Sequence, residues 1–320
     1  MRFRVSPAFA GAVLLLVAGG GTAFAHGYAG KRFFPATITI EDPFVADELS
    51  LPTVSTFKEA GEGEEPPTRE TEISVEFAKR ITPKLGLSVE GGWTRLQPKG
   101  EPSASGLNNF EVGIKYQFFK SDPRETILSA GVGVEIGGTG ARRIAERFST
   151  WTPSLFFGKG FGDLPDGWAA FKPFAATGVL GVTFPTRAST TTVTADPDTG
   201  DAETEVERHP HVLQWGFALE YSIPYLQSFV RDAGLRRPFN RMIPVVELAM
   251  NTPLDRGGGA TTGTVNPGIL WTGAYVQFGV EAIIPVNAHS GHNVGVQGQI
   301  HFYLDDLFPR SIGRPLFAAK

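Results

Sequence analysis

Apolar and polar residues alternate along most of this chain in runs of about ten, the length a tilted strand needs to cross a bilayer. Ile73, Val75 and Phe77 alternate with Glu72, Ser74 and Glu76, and Leu85, Leu87, Val89 and Trp93 with Ser88, Glu90 and Thr94. Phe110–Phe118 and Leu128–Ile136 repeat the pattern, as do Leu213–Tyr221, Val276–Ile284 and Val294–Leu304. It is weaker in Trp151–Phe157, Phe174–Phe184, Val246–Met250 and Val265–Trp271. Strands of soluble sheets average about 5–6 residues. Longer runs, apolar on one face and Gly, Ser, Gln or acid on the other, fit lipid outside and a polar lumen inside. Aromatic residues gather near the run ends (Trp93, Tyr116, Phe118, Trp151, Phe184, Tyr221, Phe302, Tyr303), as interfacial girdles do. The fold class these features imply is all-β, a transmembrane antiparallel β-barrel.

Eleven runs follow Thr71, and Leu51–Lys58 added as a first strand makes about twelve. Bacterial barrels of this kind use an even number, with both termini on the periplasmic side. The connections then sort by length. Thr82–Lys84, Lys120–Arg124 and Thr272–Gly273 are short and fall on the periplasmic side. Gly61–Arg69, Gln97–Gly106, Gly137–Glu146, Thr186–Arg208, Thr252–Thr261 and Asn287–His292 fall outside. Pro224–Asn240 is a misfit, long yet periplasmic, and reads as a short amphipathic helix.

Composition narrows the classes further. The chain has 39 Gly, 25 Phe and no Cys, which excludes disulfides and thiolate metal sites. A net charge of −4 argues against nucleic acid as a partner. Residues 1–25 carry Arg2 and Arg4, an apolar run and Ala23-Phe24-Ala25, the three-part pattern of a cleaved secretory signal. Residues 26–50 then form a periplasmic extension or a plug in the lumen, 51–304 the barrel, and 305–320 a periplasmic tail. His26 would become the first residue, and a terminal amine beside an imidazole can chelate copper. A plain solvated terminus is the simpler reading, with no cofactor.

Phe161–Asp166 (FGDLPD), Asn266–Ile269 (NPGI), Phe278–Pro285 (FGVEAIIP) and His301–Asp306 (HFYLDD) carry a family resemblance over most of the chain. The chain resembles uncharacterised bacterial outer-membrane β-barrel proteins labelled as transporters, including those grouped with meta-pathway phenol degradation. The resemblance implies a fold, an outer-membrane location and a transport role. It departs at the C-terminus, where Asp305–Lys320 follows the closing strand in place of a terminal Phe. The partners so implied are outer-membrane lipid, the barrel-assembly machinery and an unidentified small solute.

Strand parity points Glu72, Glu76, Glu90, Glu111, Glu135, Glu220, Glu247 and Glu281 inward, against Lys115. An acidic lining favours cations. The expectation is a channel or transporter for a small solute, cation-preferring. The alternative is a non-conducting structural or anchoring barrel, its acids paired with Arg142, Arg143 and Arg147 from folded-in loops. Other constellations are weaker. His209 and His211 lie at one loop end and His289 and His292 at another, four strands apart. Asp196–Asp201 with Glu207 departs from calcium-loop order, with Gly200 before Asp201. Ser290 near His289 and His292 has no orienting acid placed by sequence, and the chain is not expected to be an enzyme.

Overall fold

The computed structural model describes residues 27–61, 66–195 and 202–317. The proposed signal segment, His26 and Asp196–Asp201 lie outside them. Twelve antiparallel strands form one closed ring. They are β1 (Glu48–Lys58), β2 (Thr68–Thr82), β3 (Leu85–Pro98), β4 (Phe110–Ser121), β5 (Thr126–Ile136) and β6 (Thr150–Gly160). β7 (Phe174–Pro185), β8 (Val212–Tyr221), β9 (Met242–Pro253), β10 (Thr262–Thr272), β11 (Val276–Pro285) and β12 (Gly295–Tyr303) complete it. Each strand pairs with its neighbours in sequence, and β12 pairs with β1 to close the ring. Closure leaves no sheet edge unpaired, the condition for a sheet to sit in lipid. Among the described residues no helix is long and apolar enough to cross a membrane.

Period two decides which face each side chain takes. On the outside, Leu155, Leu180, Leu219, Val246 and Val280 are each at least two-fifths exposed. Their inward neighbours Phe156, Ala218, Val245 and Glu281 are buried. An apolar exterior around a closed, polar-lined ring is the arrangement of a barrel solvated by lipid. The seam is the irregular part. Pro52 has no N–H to donate, and the ladder slips between Ser50 and Thr53 on β1 and between Gln299 and His301 on β12.

One rim carries the six connections 59–67, 99–109, 137–149, 186–211, 254–261 and 286–294, and is called the loop rim. Two of these contain strands that the sequence reading took as plain loop. Ala104–Leu107 folds back on β3, and Ser189–Ala195 pairs with Ala202–Arg208 as a projecting hairpin. The opposite, turn rim holds both ends of the barrel. Its connections 83–84, 122–125 and 273–275 are short, but 161–173 and 222–241 are long. Pro224–Asn240 is not one amphipathic helix. Ser222 caps a single α turn at Ile223–Tyr225, Leu226–Val230 continues as a π turn, and the rest is irregular up to Phe239–Arg241. Gly234, with φ of +67°, and Pro238 stop any longer helix.

Candidate functional site

Residues 27–47 run inside the ring, between the turn rim and its middle, before the chain enters β1. Their sequence has no period, and their contacts explain why: the segment docks through backbone groups as much as through side chains. Gln277 Nε2 donates to Ala36 O at 2.5 Å, and Ser129 Oγ donates to Pro43 O. Glu247 is the main receptor. Its Oε1 accepts from Ile38 N at 2.9 Å, and its Oε2 from Thr39 N at 3.1 Å and Ile40 N at 2.5 Å. Asn266 and Gln297 both donate to Thr39 Oγ1, and Gln297 also reaches Glu281 Oε2 at 2.7 Å. Three successive N–H groups on one carboxylate form an anion nest, here occupied by a wall residue. Gly216 of β8 lets the tip come this close. A Cβ there would stand 2.4 Å from Ile40 Cδ1.

Charge locks both flanks of the plug. Arg32 is fully buried; it meets Glu125 Oε2 at 3.2 Å, donates to Pro173 O at 2.9 Å and to Lys172 O, and lies 3.8 Å over the Tyr225 ring. Asp47, also fully buried, meets Lys79 Nζ at 2.5 Å and Arg80 Nε at 2.7 Å. The tail joins this second lock, with Arg80 Nη2 donating to Gly313 O and Leu316 and Phe317 N–H groups donating to Arg80 and Ile81 carbonyls. Gly30 closes a smaller contact. Its φ is +61°, a Cβ would stand 2.2 Å from Asp122 O, and its N–H donates to Asp122 Oδ1 at 2.9 Å.

That hydrogen bond from Gly30, helped by Lys120, holds the Asp122 carboxyl below its ordinary 3.8. A depressed carboxylate contributes stability that is present above its unfolded pKa and lost as the pH falls through the folded value. The contact of Gly30 with Asp122 is therefore expected to hold from neutral pH down to about pH 4 and to weaken below it. Hydrogen exchange of the plug peptide, corrected for the intrinsic rate, measures this. Asp122→Ala should show the acid-side exchange already at neutral pH.

Above the plug the ring is hollow. A cavity of about 320 Å³ lies between plug residues 36–46 and a wall that includes Glu48, Glu72, Glu76, Glu90, Glu111 and Lys115. A second, about 390 Å³, is lined by Thr39 and Glu41 of the plug tip and by Glu111, Lys115, Glu135 and Gln214. A third, about 450 Å³, lies toward the loop rim, with Glu59, Glu70, Glu72, Glu90, Glu111 and Glu135 in its wall. Glu111 borders all three, so they adjoin one another between the loops and the plug tip and are together called the vestibule.

The wall acids divide into two sets. Glu72, Glu76, Glu90, Glu111 and Glu135 border the vestibule, where Glu72 accepts from Asn108 Nδ2 at 2.5 Å and Glu135 from Asn109 Nδ2 at 2.8 Å. Glu220, Glu247 and Glu281 are at most 1% exposed and lie behind the plug. Lys115 does not pair with a wall acid. It meets plug Glu41 at 2.7 Å and Asp42 O at 2.6 Å, 4.7 Å above the Phe156 ring. Arg142, Arg143 and Arg147 are exposed and, among the described residues, none is within 4.0 Å of a wall carboxylate; the groups that Glu247 holds are plug backbone N–H groups. Arg32, Glu41 and Asp47 are partners that the strand pattern could not find, because they lie in its unpatterned stretch. The histidines are separately engaged. His209 stacks on Phe148 and bonds Thr190 Oγ1, while His211 Nδ1 meets Asp255 at 2.8 Å.

No protein-family model matches the chain, and no curated protein sequence does. Among solved structures the chain is similar to an outer-membrane channel from Pseudomonas putida F1. The TM-score is 0.53 at 10% identity, covering 85% of this chain and 99% of that one. The Ralstonia pickettii toluene transporter TbuX overlaps at a TM-score of 0.42 and 12% identity, over 90% of this chain and 98% of that one, too low to bear on this chain. What is shared at such identity is architecture: a closed antiparallel β-barrel of the outer-membrane type.

Proposed function

We propose that this chain is an outer-membrane channel for a small solute, cation-preferring, with residues 27–47 as a resident plug. In that setting the turn rim faces the periplasm and the loop rim the exterior, and the barrel-assembly machinery and outer-membrane lipid are its partners. The observation that carries the reading is the vestibule. Five wall carboxylates line adjoining cavities that reach the plug tip, while the Lys115 ammonium is drawn to Glu41. In a narrow low-dielectric passage such a field raises the local concentration of cations and repels anions.

In a planar bilayer under a salt gradient, the reversal potential is expected to lie toward the cation's equilibrium value. Replacing Glu72, Glu90 and Glu111 together by Gln should move it toward zero with the barrel intact. An anion-directed potential in the full chain would sink the cation reading. A second reading, a non-conducting structural barrel, is favoured by the locks at Arg32 and Asp47, which hold the plug by buried charge.

A further inference from the structure

Residues 222–241, joining β8 to β9, carry four arginines against the single Asp232, in a chain whose overall charge is −4. The segment is held in shape from within. Tyr225 is buried and its hydroxyl donates to Glu125 at 2.9 Å; Leu235 N donates to Gln227 Oε1 at 2.9 Å, and Gln227 Nε2 returns a bond to Leu235 O at 3.2 Å. Held so, it leaves Arg231, Arg236 and Arg237 exposed, and among the described residues none of the three makes a side-chain ion pair within 4.0 Å. Arg241 is half-buried, and burial together with the neighbouring Arg237 pushes its guanidinium below its ordinary value. Between these cations stand Leu235 and Phe239, 40% and 57% exposed, while Phe229 packs against Tyr225 at 4.9 Å and beneath Lys31 Nζ at 5.3 Å.

The segment hangs from two aromatic markers on the lipid side of the wall. On the β8 side a ladder of rings descends from Tyr221 to Phe174 (4.8 Å), Phe171 (6.2 Å) and Trp168 (5.6 Å). On the β9 side Met242 pairs with Trp271, whose ring packs on Phe278 at 5.8 Å. Aromatic rings at strand ends sit at the level of lipid headgroups. Cations interleaved with exposed apolar side chains at that level match an anionic membrane surface: guanidinium to phosphate, ring and Leu to the acyl boundary.

We propose that residues 231–241 form a docking surface for anionic phospholipid headgroups of the leaflet at the turn rim. Arg231, Arg236 and Arg237 take the phosphates, and Leu235 and Phe239 enter the acyl boundary. This requires the barrel to sit in a bilayer and is independent of whether it conducts.

The test uses the full chain in phosphatidylcholine bilayers doped with brominated phosphatidylglycerol or brominated phosphatidylcholine, read by quenching of tryptophan fluorescence. The wild type should favour phosphatidylglycerol. An arginine at an anionic surface contributes about fivefold, so the triple change R231Q/R236Q/R237Q should lower the preference by up to roughly a hundredfold, toward unity. The triple change R142Q/R143Q/R147Q on the loop rim should keep it. Equal quenching by both lipids in the wild type overturns the proposal, as does a retained preference in the first variant or an equal loss in the second. Soluble glycerol phosphate that abolishes the preference at matched concentration and ionic strength would also overturn it, by showing an anion site that needs no membrane. Should the first variant fail to give a heat-modifiable barrel, ionic strength decides on the wild type. Salt must remove the preference if the arginines carry it, and a salt-independent preference overturns it.

Discussion

Deleting residues 27–47 should raise single-channel conductance severalfold above that of the full chain. The plug occupies the half of the lumen nearest the turn rim, and its tip meets the wall at Glu247, Asn266 and Gln297. A path that crosses the vestibule ends on Thr39 and Glu41. Without the segment the same path continues between Glu220, Glu247 and Glu281, which would turn from buried acceptors into pore lining. Cation preference should persist, because Glu220, Glu247 and Glu281 gain access to solvent while Glu41, Asp42 and Asp47 leave with the segment. The deletion also separates the two functional readings. Small currents from the full chain that become large in the deleted one describe a plugged channel. Silence in both, with heat-modifiable migration intact, describes a structural barrel.

A subtler change should loosen the plug without removing it. Glu247→Ala leaves the N–H groups of Ile38, Thr39 and Ile40 without their acceptor inside a closed contact. A buried donor left unsatisfied costs about 1–3 kcal/mol, so the tip should lose several kcal/mol of docking free energy. Part returns as water enters and as Glu281 is relieved of a neighbouring carboxylate. The tip amides should then exchange with solvent much faster, while the locks at Arg32 and Asp47 keep the flanks in place. Glu247→Gln should fall between, because one carbonyl oxygen still accepts while the amide nitrogen faces N–H groups it cannot serve. Unchanged exchange at residues 38–40 in the Ala variant would show that the nest does not hold the plug.

The wall was legible in the sequence and the plug was not, and the reason is physical. A strand between lipid and lumen must alternate, so the runs at Phe110–Phe118 and Leu128–Ile136 announce themselves with their register. β1 announces itself poorly, because Pro52 and the slip beside it break the alternation. An even strand count recovers it. The hairpin strands Ser189–Ala195 and Ala202–Arg208 project from the ring and need no lipid-facing side, so a polar run there looks like loop. Inside the barrel, parity tells which acids turn inward but not what waits for them. Glu90 and Glu247 are alike in sequence, yet one borders the vestibule and the other holds three N–H groups. Every residue except proline owns such a group, so the partners of Glu247 leave no signature.

The seam has a consequence for how the molecule is made. Ser50 and His301 face each other across it from opposite ends of the chain, with Ser50 Oγ and His301 Nδ1 3.0 Å apart. The plug leads directly into the first of those two strands. Sequential pairing from β2 onward can build an open, curling sheet, but the cylinder cannot shut until its last strand arrives. Residues 27–47 then have two histories to choose between. They lie in the trough before the final zip, or they thread a finished pore from the turn rim. Shutting around a seated guest joins the wall's last hydrogen bonds to those of the segment it encloses. It also places the decision between an occupied and a vacant pore at the moment of assembly.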